Sequence, residues 1–154
     1  MITAWRIVKT KHCANAFDGE GARRYGGRWN SIGSAIVYTS DFLATAALEL
    51  MVNMIDYSEM IQHYVRIKVE IPPEQILSMK PELLPEAWQQ NPAPAVIQNI
   101  GDEWVANRPS AVLKAPSAVI PEHHSYLLNP NHNHFSGIKI HEPLPFSFDP
   151  RLMK

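Results

Sequence analysis

The run AIVYTSDFLATAALELMVNMI, Ala35–Ile55, changes character once along its length. Ala35–Thr39 is rich in β-branched and aromatic residues and reads as a strand. From Phe42 onward the chain is almost continuously apolar and reads as a helix running to about Met54, with Ser40 or Asp41 placed to cap it. Glu49 is the only ionisable residue of the Phe42–Ile55 stretch. A helix that is apolar nearly all round is usually buried, so this carboxylate should be withdrawn from water and should need a facing cation or several donors. The competing reading is a structural ion pair or a rim position.

Outward from this unit the elements are short. Tyr64–Ile71 alternates, with Val65, Ile67, Val69 and Ile71 on one face and Arg66, Lys68 and Glu70 on the other, and Pro72-Pro73 stops it. Ala4–Val8 reads as a first strand, and Asn15–Gly33, with five glycines, as a loop. Residues 81–94 are irregular, with one turn near Glu86–Gln90. Ala95–Val105 fits a helix with Val96, Ile97, Ile100 and Trp104 on one face, interrupted by Gly101. Ala111–Leu113, Ala118–Ile120, Tyr126–Leu128 and Gly137–Ile140 read as further strands. Thirteen prolines in 154 residues favour an α+β domain over a helical bundle. We therefore expect one domain over residues 1–154, with a core over about 4–141 and a C-terminal extension over 142–154, in which short strands form a split, mixed or antiparallel β core flanked by helices.

Composition narrows the class further. Net charge is −1, yet residues 1–28 carry Arg6, Lys9, Lys11, Arg23, Arg24 and Arg28 against only Asp18 and Glu20. Such a basic segment suits a nucleic-acid arm, a phosphorylated ligand or merely a solvated surface. The single cysteine, Cys13, excludes an internal disulfide and a multi-cysteine zinc site. The amino terminus lacks the apolar region of a secretory signal, and no stretch approaches the ~18 apolar residues of a membrane helix. A cytoplasmic location is the expectation. The seven histidines, His123-His124 and His132/His134 among them, show no paired metal spacing, so no metal is expected, and no base-reading motif appears.

The residues suited to chemistry are few. In Gly19–Asn30, Gly26 and Gly27 permit close backbone approach to a ligand, and Arg28 follows with a guanidinium fork that suits phosphate or carboxylate oxygens. Neither a phosphate-binding GxxxxGK[ST] loop nor a GxGxxG dinucleotide fingerprint is present. The alternative is a basic turn with a core Trp29. Arg6, between Trp5 and Ile7 in the first strand, must find an anionic partner or reach solvent. Ser117 lacks the GxSxG elbow of a hydrolase nucleophile.

The run GEGARRYGGRWNSIGSAIVYTSDFLATAALE, residues 19–49, resembles the signature of the RES domain, the toxin half of RES–Xre toxin–antitoxin pairs. The opening WRI, the GDEW at Gly101–Trp104 and the late KAPSAVIPEHHSYLLNPNH are similar too. The resemblance implies an ADP-ribosyltransferase-like fold and an enzyme that consumes NAD+ as substrate, with no bound cofactor. It implies attack by water or inorganic phosphate, or alternatively transfer of ADP-ribose to a protein. Its site residues would be Arg6, Arg28, Tyr38, Glu49 and Ser117, with Gly27 and Asn30 beside the dinucleotide. In that scheme the two arginines hold the diphosphate, Tyr38 offers a flat face to nicotinamide and a hydroxyl for orientation, Glu49 stabilises the ribosyl cation and Ser117 orients. The same resemblance implies an Xre-type antitoxin partner and homodimerisation, with no direct binding to nucleic acid or membrane. The non-enzymatic alternative is a module that docks an antitoxin or nucleic acid through its basic segment.

Overall fold

The computed structural model describes residues 1–152. Eight strands form one mixed sheet: β1 (Ile2–Lys9), β2 (Val37–Ser40), β3 (Tyr64–Ile71), β4 (Ile76–Ser78), β5 (Val112–Pro116), β6 (His124–Leu128), β7 (Lys139–Ile140) and β8 (Leu144–Phe146). Their order is β4-β5-β6-β2-β1-β3-β7, with β8 also on β3. Among the described residues only the β4–β5 pair is parallel. Four helices flank the sheet: α1 (Glu20–Tyr25), α2 (Leu43–Met51), α3 (Tyr57–Met60) and α4 (Ala95–Asn107). The expected α+β architecture is present.

Period-2 alternation divides the core between the two faces of the sheet. Val112, Tyr126 and Leu128 pack with Ala4, Val37, Val69 and Ile71 on one face. Leu113, Ala115 and Leu127 pack with Trp29, Ile36 and the α4 residues Ile97 and Trp104 on the other. A third cluster joins α2 and α3 to Ile7, Tyr64 and Phe148. The β3 boundaries match the alternating sequence, and its four odd-numbered aliphatics are buried.

The split lies between β1 and β2. These strands share a single pair, Trp5↔Ser40, whereas β1 and β3 pair along eight residues from Ile2↔Ile71 to Lys9↔Tyr64. Beyond that one pair, the Tyr38 carbonyl has no partner in β1. Arg6 supplies it: Nη1 donates to Tyr38 O at 2.9 Å, while Nε donates to Ala16 O at 2.7 Å. A side chain thus closes a gap that the backbone ladder leaves open.

Several expectations need correction. The Asn15–Gly33 loop contains α1, because its glycines bracket a helix: Gly19 and Gly26 sit at φ 72° and 75° at the two caps. Within it Glu20 pairs with Arg23 and Arg24 one turn on, acid in the first turn and base in the last. α2 stops at Met51, short of Met54, and neither Ser40 nor Asp41 caps it, since Phe42 occupies the cap position. Asp41 is engaged by the backbone of Phe42 and His124. On α4, Val96 is 52% exposed, and the buried stripe is Ile97, Gly101 and Trp104. Ala118–Ile120 is not a strand, because the Ser117 hydroxyl accepts from the amides of Val119 and Ile120 and turns the chain. The short strands β4 and β8 escape a periodicity reading. Within the C-terminal extension, β8 pairs with β3 and Phe148 is buried; 153 and 154 lie outside the described residues.

Of the glycines, Gly101 makes the tightest approach. A Cβ there would lie 1.7 Å from the Trp29 carbonyl oxygen, so α4 rests directly on the backbone of the arginine-bearing loop. Gly101→Ala is expected to destabilise the domain by about 3 kcal/mol or more, the upper range for overpacking, because the obstructing atom is backbone. Urea unfolding of the two chains measures it.

Candidate active site

The candidate residues come from four places: Arg6 on β1, the Gly26–Ser31 loop, Tyr38 on β2 with Glu49 on the following helix, and Ser117 after β5. Two of them touch. Ser117 is fully buried, and its Oγ donates to Glu49 Oε1 at 2.6 Å. The same oxygen already accepts from the Val119 and Ile120 amides, each at 3.2 Å. With its lone pairs occupied, the hydroxyl has its proton directed to the carboxylate. Glu49 is half-buried and forms no ion pair with an arginine among the described residues. The facing cation expected for it is replaced by a hydroxyl, and its Oε2 accepts no hydrogen bond from the described residues.

The Tyr38 phenol has partners of its own in the arginine-bearing loop. It donates to Asn30 Oδ1 at 2.7 Å and accepts from the Trp29 amide at 3.0 Å. Burial pushes its pKa well above the ordinary tyrosine value. The charges of Asp102 and Glu49 add to the rise, while the Trp29 amide and Arg28 oppose it. Both Glu49 and Arg28 therefore lie within electrostatic reach of one ring. Gly27 fits against the phenol, for a Cβ there would stand 2.7 Å from the hydroxyl oxygen. The two Tyr38 bonds leave its hydroxyl committed to the protein, so what the residue offers outward is its ring.

Asn30 is placed differently from the sequence expectation. It is fully buried, and Nδ2 donates to the carbonyls of Ala22, Ser31 and Ser34. Those bonds and the Tyr38 hydroxyl consume the amide, which holds the loop instead of facing a ligand. Arg6 likewise commits two nitrogens to backbone carbonyls, and burial lowers its pKa to about 10, which keeps it charged at neutral pH. Arg28 is half-buried and directs Nη1 at Trp88 O (3.1 Å) and Gln90 O (2.8 Å) in the 81–94 segment. Arg6 thus holds the Tyr38 carbonyl, Arg28 holds the 81–94 segment, and neither is bonded to Glu49.

Three residues on one face of α4 were not singled out for a positioning role. Gln98 donates to Gly27 O at 3.1 Å, Gly101 abuts Trp29, and Asp102 accepts from the Ser31 amide at 3.0 Å and hydroxyl at 2.6 Å. Their spacing, i, i+3 and i+4, is the available signal, together with a glycine inside a helical pattern. On the far side, Asp41 Oδ2 accepts from the His124 amide at 2.9 Å and lies 3.2 Å from His123 Nδ1. Among the described residues no three His, Cys, Asp or Glu side chains gather as a metal site. A cavity of about 520 Å³ lies between α3, the start of β3 and residues 145–150, and none of these groups lines it.

The sequence profile of the RES domain matches residues 3–149. The chain belongs to the RES-domain family. It is 37% identical over 149 residues to "Toxin Res" of Yersinia enterocolitica, an alignment covering 96% of this chain and 97% of that one. It is 34% identical over 155 residues to the "Prs ADP-ribosylating toxin" of Sphingobium sp. strain YBL2, covering 97% and 96%. The fold of this RES domain is shared with a chain in the crystal structure of the M. tuberculosis MbcT–MbcA toxin–antitoxin complex. The TM-score is 0.77 at 16% identity, over 97% of this chain and 85% of that one. No helix among the described residues is long and apolar enough to cross a membrane.

His124, beside Asp41, gives the RES domain a pH dependence. Burial, then Lys114, lowers the pKa of His124 below its ordinary 6.5, and Asp41 only partly offsets this. The unfolded chain then binds more protons than the folded one below pH 6.5, so stability falls as pH drops from that value through the lowered pKa. Melting temperatures between pH 7.5 and 5 are expected to decline more steeply for the native chain than for His124→Gln.

Proposed function

We propose that this RES domain cleaves the nicotinamide–ribose bond of NAD+ and acts as the toxin of a toxin–antitoxin pair. The observation that carries this reading is the 2.6 Å Ser117–Glu49 hydrogen bond, which orients a half-buried carboxylate. In the reaction the C1′–N bond breaks with its electron pair leaving on nicotinamide, whose ring becomes neutral. The ribose is left as an oxocarbenium-like cation. An oxygen of water or phosphate then bonds to C1′ and sheds a proton. A fixed carboxylate lowers the energy of such a cation, as in glycoside cleavage. Glu49 takes that role, with Oε1 held by Ser117 and Oε2 free for a ribose hydroxyl or the developing charge. Ser117 acts as orienter, since both its lone pairs and its proton are already assigned. Arg28 offers its guanidinium fork to the diphosphate, Arg6 retains Nη2, and the Tyr38 ring gives nicotinamide a flat surface. Gly27 lets the loop backbone pack directly on the Tyr38 hydroxyl, which fixes the ring in place.

A second reading, transfer of ADP-ribose to a protein side chain, is favoured by the printed name of the Sphingobium relative. Both readings share bond cleavage and differ in the acceptor. An antitoxin partner is supported by the complex in which the structural neighbour was solved, and the RES–Xre resemblance points to the Xre type. We place that partner over the Arg28–Glu49 region, so that adding it to the toxin stops NAD+ loss.

The test is NAD+ loss over time with mass spectrometry of the products. Glu49→Gln is expected to lower turnover roughly 10²- to 10³-fold with little change in melting temperature. The native chain is expected to release free ADP-ribose or its 1″-phosphate. A mass gain on a target protein selects the second reading. NAD+ left intact by a native chain that binds DNA tightly would replace both with a docking module.

A further inference from the structure

One segment is tied to both sides of the proposed site by consecutive residues. On one side, Arg28 Nη1 donates to the carbonyls of Trp88 and Gln90 at 3.1 and 2.8 Å. On the other, Gln89 Nε2 donates at 3.1 Å to the carbonyl of Ala118, the neighbour of Ser117. Trp88 also stacks on Trp29, with centroids 6.1 Å apart and planes inclined by 27°. The Tyr38 hydroxyl accepts from the Trp29 amide at 3.0 Å, in the residue next to Arg28. A segment bonded to Arg28 at one point and to the Ser117 turn at the next lies across the space between them.

This segment is lightly held. Residues 85–87 and 89–92 are exposed, and only Leu84 and Trp88 pack against the α4 cluster. Its internal bonds are single turns, Trp88 N to Pro85 O and Gln90 N to Ala87 O. A stretch without helix or strand, anchored by two side chains, belongs to the low-stability end of local opening. Its main latch is Arg28, which here donates to neutral carbonyls. A guanidinium grips phosphate oxygens through two parallel bonds between opposite charges, a stronger pairing than it makes with neutral carbonyls.

We infer that residues 84–91 form a strap closed over the site, and that a nucleoside diphosphate opens it by drawing Arg28 away from the carbonyls of Trp88 and Gln90. The inference rests on the NAD+ reading above and adds a gate to it. One guanidinium serves as latch in the closed state and as ligand anchor in the open one, so closure and binding compete. The apparent affinity is then reduced by the fraction of closed strap, and weakening the strap raises it.

Gln89→Ala tests this, since the Gln89 side chain is exposed and bonds only Ala118. The readouts are deuterium exchange of the 84–91 amides and ADP-ribose binding by calorimetry. Loss of one hydrogen bond is expected to speed strap exchange about five-fold in the free chain and to tighten ADP-ribose binding by up to about the same factor. Saturating ADP-ribose is expected to speed strap exchange in the native chain. ADP-ribose that binds while slowing strap exchange, or while both chains exchange and bind alike, would overturn the strap and leave the NAD+ reading standing. A native chain that neither binds ADP-ribose nor consumes NAD+ would remove the NAD+ reading, and the gate with it.

Discussion

A single hydrogen bond, Ser117 Oγ to Glu49 Oε1, joins residues 68 positions apart, and much of the architecture exists to bring them together. β5 must run antiparallel to β6 so that Pro116 stands opposite His124 and the chain can turn at Ser117. β6 must pair with β2, with Ser125 opposite Ser40, so that α2 starts on the same side of the sheet. The contact therefore reports on two strand registers and one helix orientation at once. A one-residue slip in either register would send the relevant side chains to the opposite face.

Around that contact the protein satisfies its polar groups internally, which decides what remains for chemistry. Asn30 and the Tyr38 hydroxyl form a closed network with the Trp29 amide and three carbonyls. Such groups rigidify a loop because leaving any one unpaired in the interior is costly. The groups with unused capacity are the outer oxygen of Glu49, the remaining nitrogens of Arg6 and Arg28, and the face of the Tyr38 ring. A scaffold of filled bonds surrounding a few unfilled ones is the condition for preorganised electrostatics.

How much of this was legible in the sequence depends on the range of the interaction. β3 could be read residue by residue, because alternation is a local consequence of one buried face. α2 and α4 could be read as helices, yet their ends could not, since Asp41 turns to His124 and not to its own helix. α1 was hidden by its glycines, which cap a helix as readily as they make a loop. Among site residues, Glu49 stood out as a lone charge in an apolar run, and Ser117 entered through resemblance to a family. That they touch, and that Asn30 is interior, follows from long-range pairing that no local pattern encodes. The roles of Gln98 and Asp102 were missed because their partners, Gly27 and Ser31, lie about seventy residues away in sequence.

The single rung between β1 and β2 has a mechanical corollary. It divides the sheet into two plates, β4-β5-β6-β2 and β1-β3 with β7 and β8, sutured by Trp5↔Ser40 and the Arg6 guanidinium. Ser117 rides on the first plate, whereas α2, carrying Glu49, packs through Ala46 against Ile7 and Tyr64 of the second. Any shear along this seam changes the reach from hydroxyl to carboxylate directly. Arg6 thereby acts as a rivet: its tie to Tyr38 fixes how far apart the two halves of the candidate site can drift.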